Sequence, residues 1–146
     1  MEKIKAFLKR KNIIISAKRY GIDALGAMAQ GLFASLIIGT IISTIGEQAG
    51  IQLLVDIGGY AKAATGPAMA ISIGFALQCP PLVLFSLAAV GVAANTLGGA
   101  GGPLAVLIVT IFAAEFGKAV SKETKIDIIV TPFVTIFIGA GLSIWW

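Results

Sequence analysis

Histidine is absent from this 146-residue chain, and cysteine occurs once, at Cys79. Without histidine there is no imidazole general acid or base, no phosphohistidine and none of the commonest metal ligand. A single cysteine permits no internal disulfide and leaves the redox compartment undetermined. Cys79 stands before Pro80-Pro81 in an apolar run, without the electropositive, exposed setting that a thiolate needs, so it reads as a buried thiol. Charge is scarce too. Asp, Glu, Lys and Arg make up 12% of the residues, where a soluble domain carries about a quarter, and that scarcity excludes a soluble enzyme. The glycine-rich stretch Gly98–Gly102 lacks the lysine and the serine or threonine of a phosphate-binding loop. No catalytic residue, metal-ligand set or cofactor motif is evident.

Apolar residues fill the chain instead, at 58%, with a mean hydropathy of +0.97 and 18 glycines. Glycine is more frequent in membrane helices than in soluble ones. Transmembrane barrel strands alternate apolar and polar residues, and these runs do not. The fold class is therefore all-α, a polytopic helical membrane protein. The formal net charge is +4, and seven of the eleven basic residues (Lys3, Lys5, Lys9, Arg10, Lys11, Lys18, Arg19) precede the first span. Residues 1–20 read as a basic interfacial segment at the cytoplasmic face, touching anionic lipid rather than nucleic acid. A signal peptide does not fit, because the basic region is too long and no A-x-A-type site closes the apolar run.

The membrane domain, residues 21–146, divides into about five segments, near 24–45, 66–79, 81–97, 103–118 and 128–146. In the first, Ala27, Gly31, Ser35, Gly39 and Ser43 recur every fourth residue, a small-residue stripe of the kind that lets helices approach closely in lipid. Gly46–Thr65 is more polar and is broken at Gly58-Gly59, which suggests an interfacial hairpin or, alternatively, a re-entrant piece. Gly66–Leu97, as one helix, would span about 48 Å, too long for an untilted crossing. Pro80-Pro81 breaks it in the middle, because two prolines remove two backbone donors. Gly66, Ala70, Gly74 and Gln78 form a second stripe, and Thr131, Thr135, Gly139 and Ser143 a third in the last helix. Pro132 suits a first helical turn, and Trp145-Trp146 an aromatic belt. The mixed-charge loop holding Lys118, Lys122, Glu123, Lys125 and Asp127 faces the cytoplasm if residues 66–97 cross twice, and the outside if they cross once.

Polar groups within membrane segments are the functional candidates, because burying them is costly. Glu115 leads, read either as a site carboxylate or as a group paired to Lys118 at i+3. Asn95, Thr96 and Gln78 offer amides and a hydroxyl at the ends of broken helices, and Glu47 and Gln48 lie in the polar connection. Amides and carboxylates on buried helices suit a polyhydroxylated solute, whose hydroxyls both donate and accept.

Two stretches carry a family resemblance. Lys122–Gly139 (KETKIDIIVTPFVTIFIG) resembles the K-x-D-I-I-x-x-P-x-x-T-x-x-x-G helix start of phosphotransferase-system IIC permeases. Tyr20–Thr40 (YGIDALGAMAQGLFASLIIGT) is similar to their first-span region, and Gly102-Pro103 with Ala114–Lys118 fits between them. The resemblance implies a sugar permease domain in the cell membrane with a cytoplasmic N-terminus, often homodimeric. Such a domain passes sugar to a phosphorylated cytoplasmic IIB protein that is served by IIA. Permeases of this type are usually about twice as long, which implies either an N-terminal half or a short relative assembling from several copies. The chain has no match to the family's sugar-binding glutamate motif and lacks the histidine some members use, so Glu115 and Asn95 stand on chemistry alone. The expected function is a membrane permease component for sugar uptake working by alternating access. The alternative is a small structural or regulatory membrane protein that joins a larger transporter through its small-residue faces.

Overall fold

Pro80 and Pro81 separate two helices that a continuous apolar run would otherwise join. The computed structural model describes residues 2–10, 18–98, 102–121 and 127–145, and the regular structure among them is helical. The helices are α1 (Glu2–Arg10), α2 (Tyr20–Ala49), α3 (Gln52–Ala63), α4 (Thr65–Ala76), α5 (Pro81–Leu97), α6 (Gly102–Val120) and α7 (Asp127–Trp145). Two of them, α2 and α6, are long and apolar enough to cross a membrane, and Thr65–Ala76, Pro81–Leu97 and Ile129–Trp145 are shorter apolar helices. At 1.5 Å per residue, α2 is about 45 Å long and α6 about 28 Å, against a hydrocarbon core of about 30 Å.

The first helix is longer than its apolar stripe. It opens on a π turn at Arg19–Asp23 and carries another at Phe33–Ile37. Its stripe serves two partners. Gly31 lies against Ala68 of α4, while Gly39 and Ser43 lie against Gly58 of α3. The end of α2 folds back through α3 as a helical hairpin. The turn is made at Gly50, whose φ of +71° is a left-handed conformation that glycine adopts without strain. The expected break at Gly58-Gly59 is not there. α3 runs through both residues, and Gly58 serves close helix approach.

α4 to α7 form the compact part. α4 and α5 run antiparallel and cross where Gly66 faces Gly91, so closely that a Cβ on either would collide with the other's carbonyl oxygen. α6 returns beside α5, with Gly117 near Val83 at one end and Gly98 beside Gly102 at the other. α7 runs parallel to α5, Gly139 packing on Val90 and Thr135 on Gly117. The core between them is formed by Met69, Ile73, Leu77, Leu87, Val90, Val106, Val109, Ala113 and Ala114. Four buried hydroxyls bond back to the carbonyl four residues earlier: Ser35 to Gly31 (2.7 Å), Ser86 to Leu82 (2.6 Å), Thr135 to Thr131 (2.8 Å) and Ser143 to Gly139 (2.8 Å), while those of Ser43 and Thr110 are buried without such a bond. A hydroxyl satisfied within its own helix can sit in an apolar bundle at little cost. Phe75, Phe85, Phe133 and Phe137 point outward, each more than 60% exposed, as a lipid-facing surface requires.

Two further expectations are corrected. Pro132 lies inside α7 and not in its first turn. Lys118 does not belong to the charged loop; it lies in the last turn of α6 and is 1% exposed. Of the other charged loop residues, Asp127 opens α7, while Lys122, Glu123 and Lys125, like Trp146, fall outside the described residues. Gly91→Ala should lower stability by about 1–3 kcal/mol through overpacking against Gly66. Gly59→Ala, with nothing within 4 Å of the new methyl, should not. Thermal unfolding of the two variants in detergent checks this.

Candidate functional site

In an α-helix the carbonyl of residue i accepts from the N–H of residue i+4. For Leu77 that partner would be Pro81, and for Ala76 it would be Pro80, and neither has an N–H. α4 therefore has to end, and it ends on paired turn bonds. The Cys79 N–H donates to the Gly74 carbonyl and the Gln78 N–H to the Phe75 carbonyl, both at 3.1 Å. This is the Schellman arrangement, whose left-handed residue is usually glycine. Here Gln78 occupies it, at φ +60°, the one non-glycine residue with positive φ among those described. Pro80 is extended, and Pro81 starts α5 at a first-turn position where a missing N–H costs nothing.

The Leu77 carbonyl receives a donor from another helix. Lys118 Nζ on α6 donates to it at 2.8 Å and also lies 3.0 Å from Oε1 of Glu115. The other carboxylate oxygen of Glu115 accepts from the Tyr20 hydroxyl, at the start of α2, at 2.7 Å. Three helices from distant parts of the chain thus converge on one break. The i,i+3 spacing puts Glu115 and Lys118 on the same face of α6. Burying an ammonium is costly unless it is paired and hydrogen-bonded. Lys118 has both kinds of partner, and it sits at the C-terminal end of α4, where the helix dipole favours a cation. The Glu115 side chain is 13% exposed, so the network reaches the protein surface through its carboxylate.

The six residues singled out by sequence are not brought together. Glu115 and Gln78 lie at the break, with the Gln78 side chain exposed. Asn95 and Thr96 lie at the other end of α5, a helix about 25 Å long. There the Asn95 side chain packs beside Gly66 and Gly102, and Thr96 is exposed. Glu47 and Gln48 are exposed at the far end of α2, beside the hairpin turn. Neither Tyr20 nor Lys118 was among the site candidates, although Lys118 was weighed as the i+3 partner of Glu115. Pro81 signals that the Leu77 carbonyl needs a donor, but not which residue supplies it. No comparable signal marks Tyr20. Among the described residues, no group of three or more His, Cys, Asp or Glu side chains could hold a metal ion.

Lys118→Met should be the more damaging substitution at this cluster, costing about 3–5 kcal/mol, because it strips a donor from both Glu115 and Leu77. Glu115→Gln keeps one acceptor oxygen for Lys118, and its amide N–H can donate to the Tyr20 hydroxyl in place of the bond it loses, so it should cost clearly less. Unfolding temperatures of both variants in the same detergent give the comparison.

No curated protein and no solved structure matches the chain. Residues 22–146 match the phosphotransferase system, EIIC family, a stretch that includes Leu77, Pro81, Glu115 and Lys118. With most of its length matched, the chain belongs to the phosphotransferase system EIIC family of integral membrane proteins.

Proposed function

We propose that the chain is the membrane permease component of a sugar phosphotransferase system, carrying sugar across the bilayer to a phosphorylated IIB partner. The observation that carries this reading is the family match over residues 22–146.

The convergence at the break supports five crossings. Tyr20 starts α2, Leu77 follows α4 and Lys118 ends α6, and all three meet. Between them the chain leaves along α2, returns along α4, leaves along α5 and returns along α6, and α7 then makes the fifth passage. On this reading, the basic residues 1–20 and the connection after Lys118 share the cytoplasmic face, which agrees with the positive-inside rule. Residues 21–146 are the membrane domain, and IIA and IIB meet it from the cytoplasmic side. The protein works as a homodimer.

The candidate solute contacts then form two groups. Glu115 and Gln78 lie toward the cytoplasmic end. Asn95 and Thr96, and beyond them Glu47 and Gln48, lie toward the outer end. A translocated sugar would meet them in succession.

Sugar uptake and phosphorylation by membranes holding the chain with IIA and IIB proteins tests the function. Accumulation of a phosphorylated sugar is expected, with at least a tenfold loss for Glu115→Gln; absence of uptake across a sugar panel would refute the reading. Topology is checked separately in a Cys79→Ser background. A membrane-impermeant maleimide should label Thr96→Cys in intact cells, and Lys18→Cys only after permeabilisation.

A further inference from the structure

The four groups at the break are bound in two different ways. Glu115 and Lys118 lie on one helix, three residues apart, so their contact survives any movement of α6 as a body. The contacts from Lys118 to Leu77 and from Glu115 to Tyr20 run between helices, 41 and 95 residues apart in sequence. They can be lost without separating the ammonium from its counter-ion.

The Leu77 carbonyl needs a donor from outside its own helix, because residue 81 has none to give. That donor can be the Lys118 ammonium or a water molecule, and bridging water is nearly as good a partner as a direct bond. The exchange trades one hydrogen bond for another, so it costs only the net worth of one bond to a charged group. The segment between α4 and α5 lies at the surface, with Gln78 and Pro81 exposed. Water has a route in through Glu115, whose side chain is 13% exposed.

We propose that Lys118, Glu115 and Tyr20 form a latch on the α4–α5 break. In the closed state Lys118 holds the Leu77 carbonyl, and Tyr20 holds Glu115 and with it the end of α6. In the open state water replaces Lys118 at Leu77, Tyr20 parts from Glu115, and Cys79 and Pro80, half-buried in the closed state, become exposed at the face where α2 begins. Glu115 and Lys118 remain paired throughout. The latch follows from the geometry of the break and stands whatever solute the protein carries.

Cys79 lies within the hinge, is half-buried and is the only cysteine in the sequence, so its thiol reports opening directly. The measurement is the rate at which a water-soluble maleimide labels Cys79 in the full chain in lipid nanodiscs. Lys118→Met should raise the rate about tenfold, as expected for loss of a hydrogen bond to a charged group. Tyr20→Phe, which removes only a hydroxyl, should raise it several-fold. Lys118→Arg should restore the slow rate, and Lys62→Met, an exposed lysine on α3, should leave it unchanged. Should Lys118→Met fail to fold, Tyr20→Phe decides alone. Wild-type rates in Lys118→Met and Tyr20→Phe, or equal acceleration in Lys62→Met, would overturn the latch.

Discussion

A carbonyl without a helical donor is the constraint from which the rest of this structure follows. A backbone polar group buried in protein needs a hydrogen-bond partner. Pro81 takes away the N–H that Leu77 would use, and the chain answers with a lysine from α6. A buried lysine then requires a carboxylate, and Glu115 supplies it from the previous turn. A carboxylate with a second oxygen to satisfy draws in Tyr20, and so the start of α2 is fixed to the end of α6. One missing hydrogen atom thereby sets the relative placement of three helices.

Lys118 can reach Leu77 only because the helices stand close together. Small residues provide that closeness. Gly66 and Gly91 bring α4 against α5, and Ala113 and Ala114 keep the neighbouring face of α6 low. Lipid gives no hydrophobic drive for helices to associate, so close van der Waals contact and interhelical hydrogen bonds have to do it. On the same stripes Ser35, Thr135 and Ser143 stay compatible with this packing by bonding to their own helix. The apolar contacts hold the helices together, and the polar cluster fixes where one breaks.

Much of this architecture was legible in the sequence. Composition alone makes the chain a helical membrane protein, the double proline locates the break, and fourfold spacing marks the faces that are buried. The pairing of Glu115 with Lys118 follows from their i,i+3 spacing. Other features were hidden for physical reasons. Lys118 begins a run of charges that reads as a solvated loop, and local composition does not reveal which lysine a carbonyl on another helix will claim. Gly58-Gly59 looks like a break because glycine weakens isolated helices, yet here tertiary contact with Ser43 overrides that weakness. Pro132 looks like the start of a helix because nothing local marks the turn before it. Tyr20 was invisible because its role depends on Glu115, 95 residues away. The proposed site residues scatter for a similar reason: residue type identifies polar groups, but topology alone decides which end of the bundle they occupy.

The family places the protein in the membrane as part of a phosphotransferase system, and the break is the feature through which its fold can serve transport. The central claim is that Tyr20, Glu115 and Lys118 act as one network joining α2, α4 and α6. A double-mutant cycle on thermal stability, built from Tyr20→Phe and Lys118→Met, measures this directly. The two residues share Glu115 as a partner, so the account predicts a coupling above about 0.5 kcal/mol. Effects that add independently would contradict it.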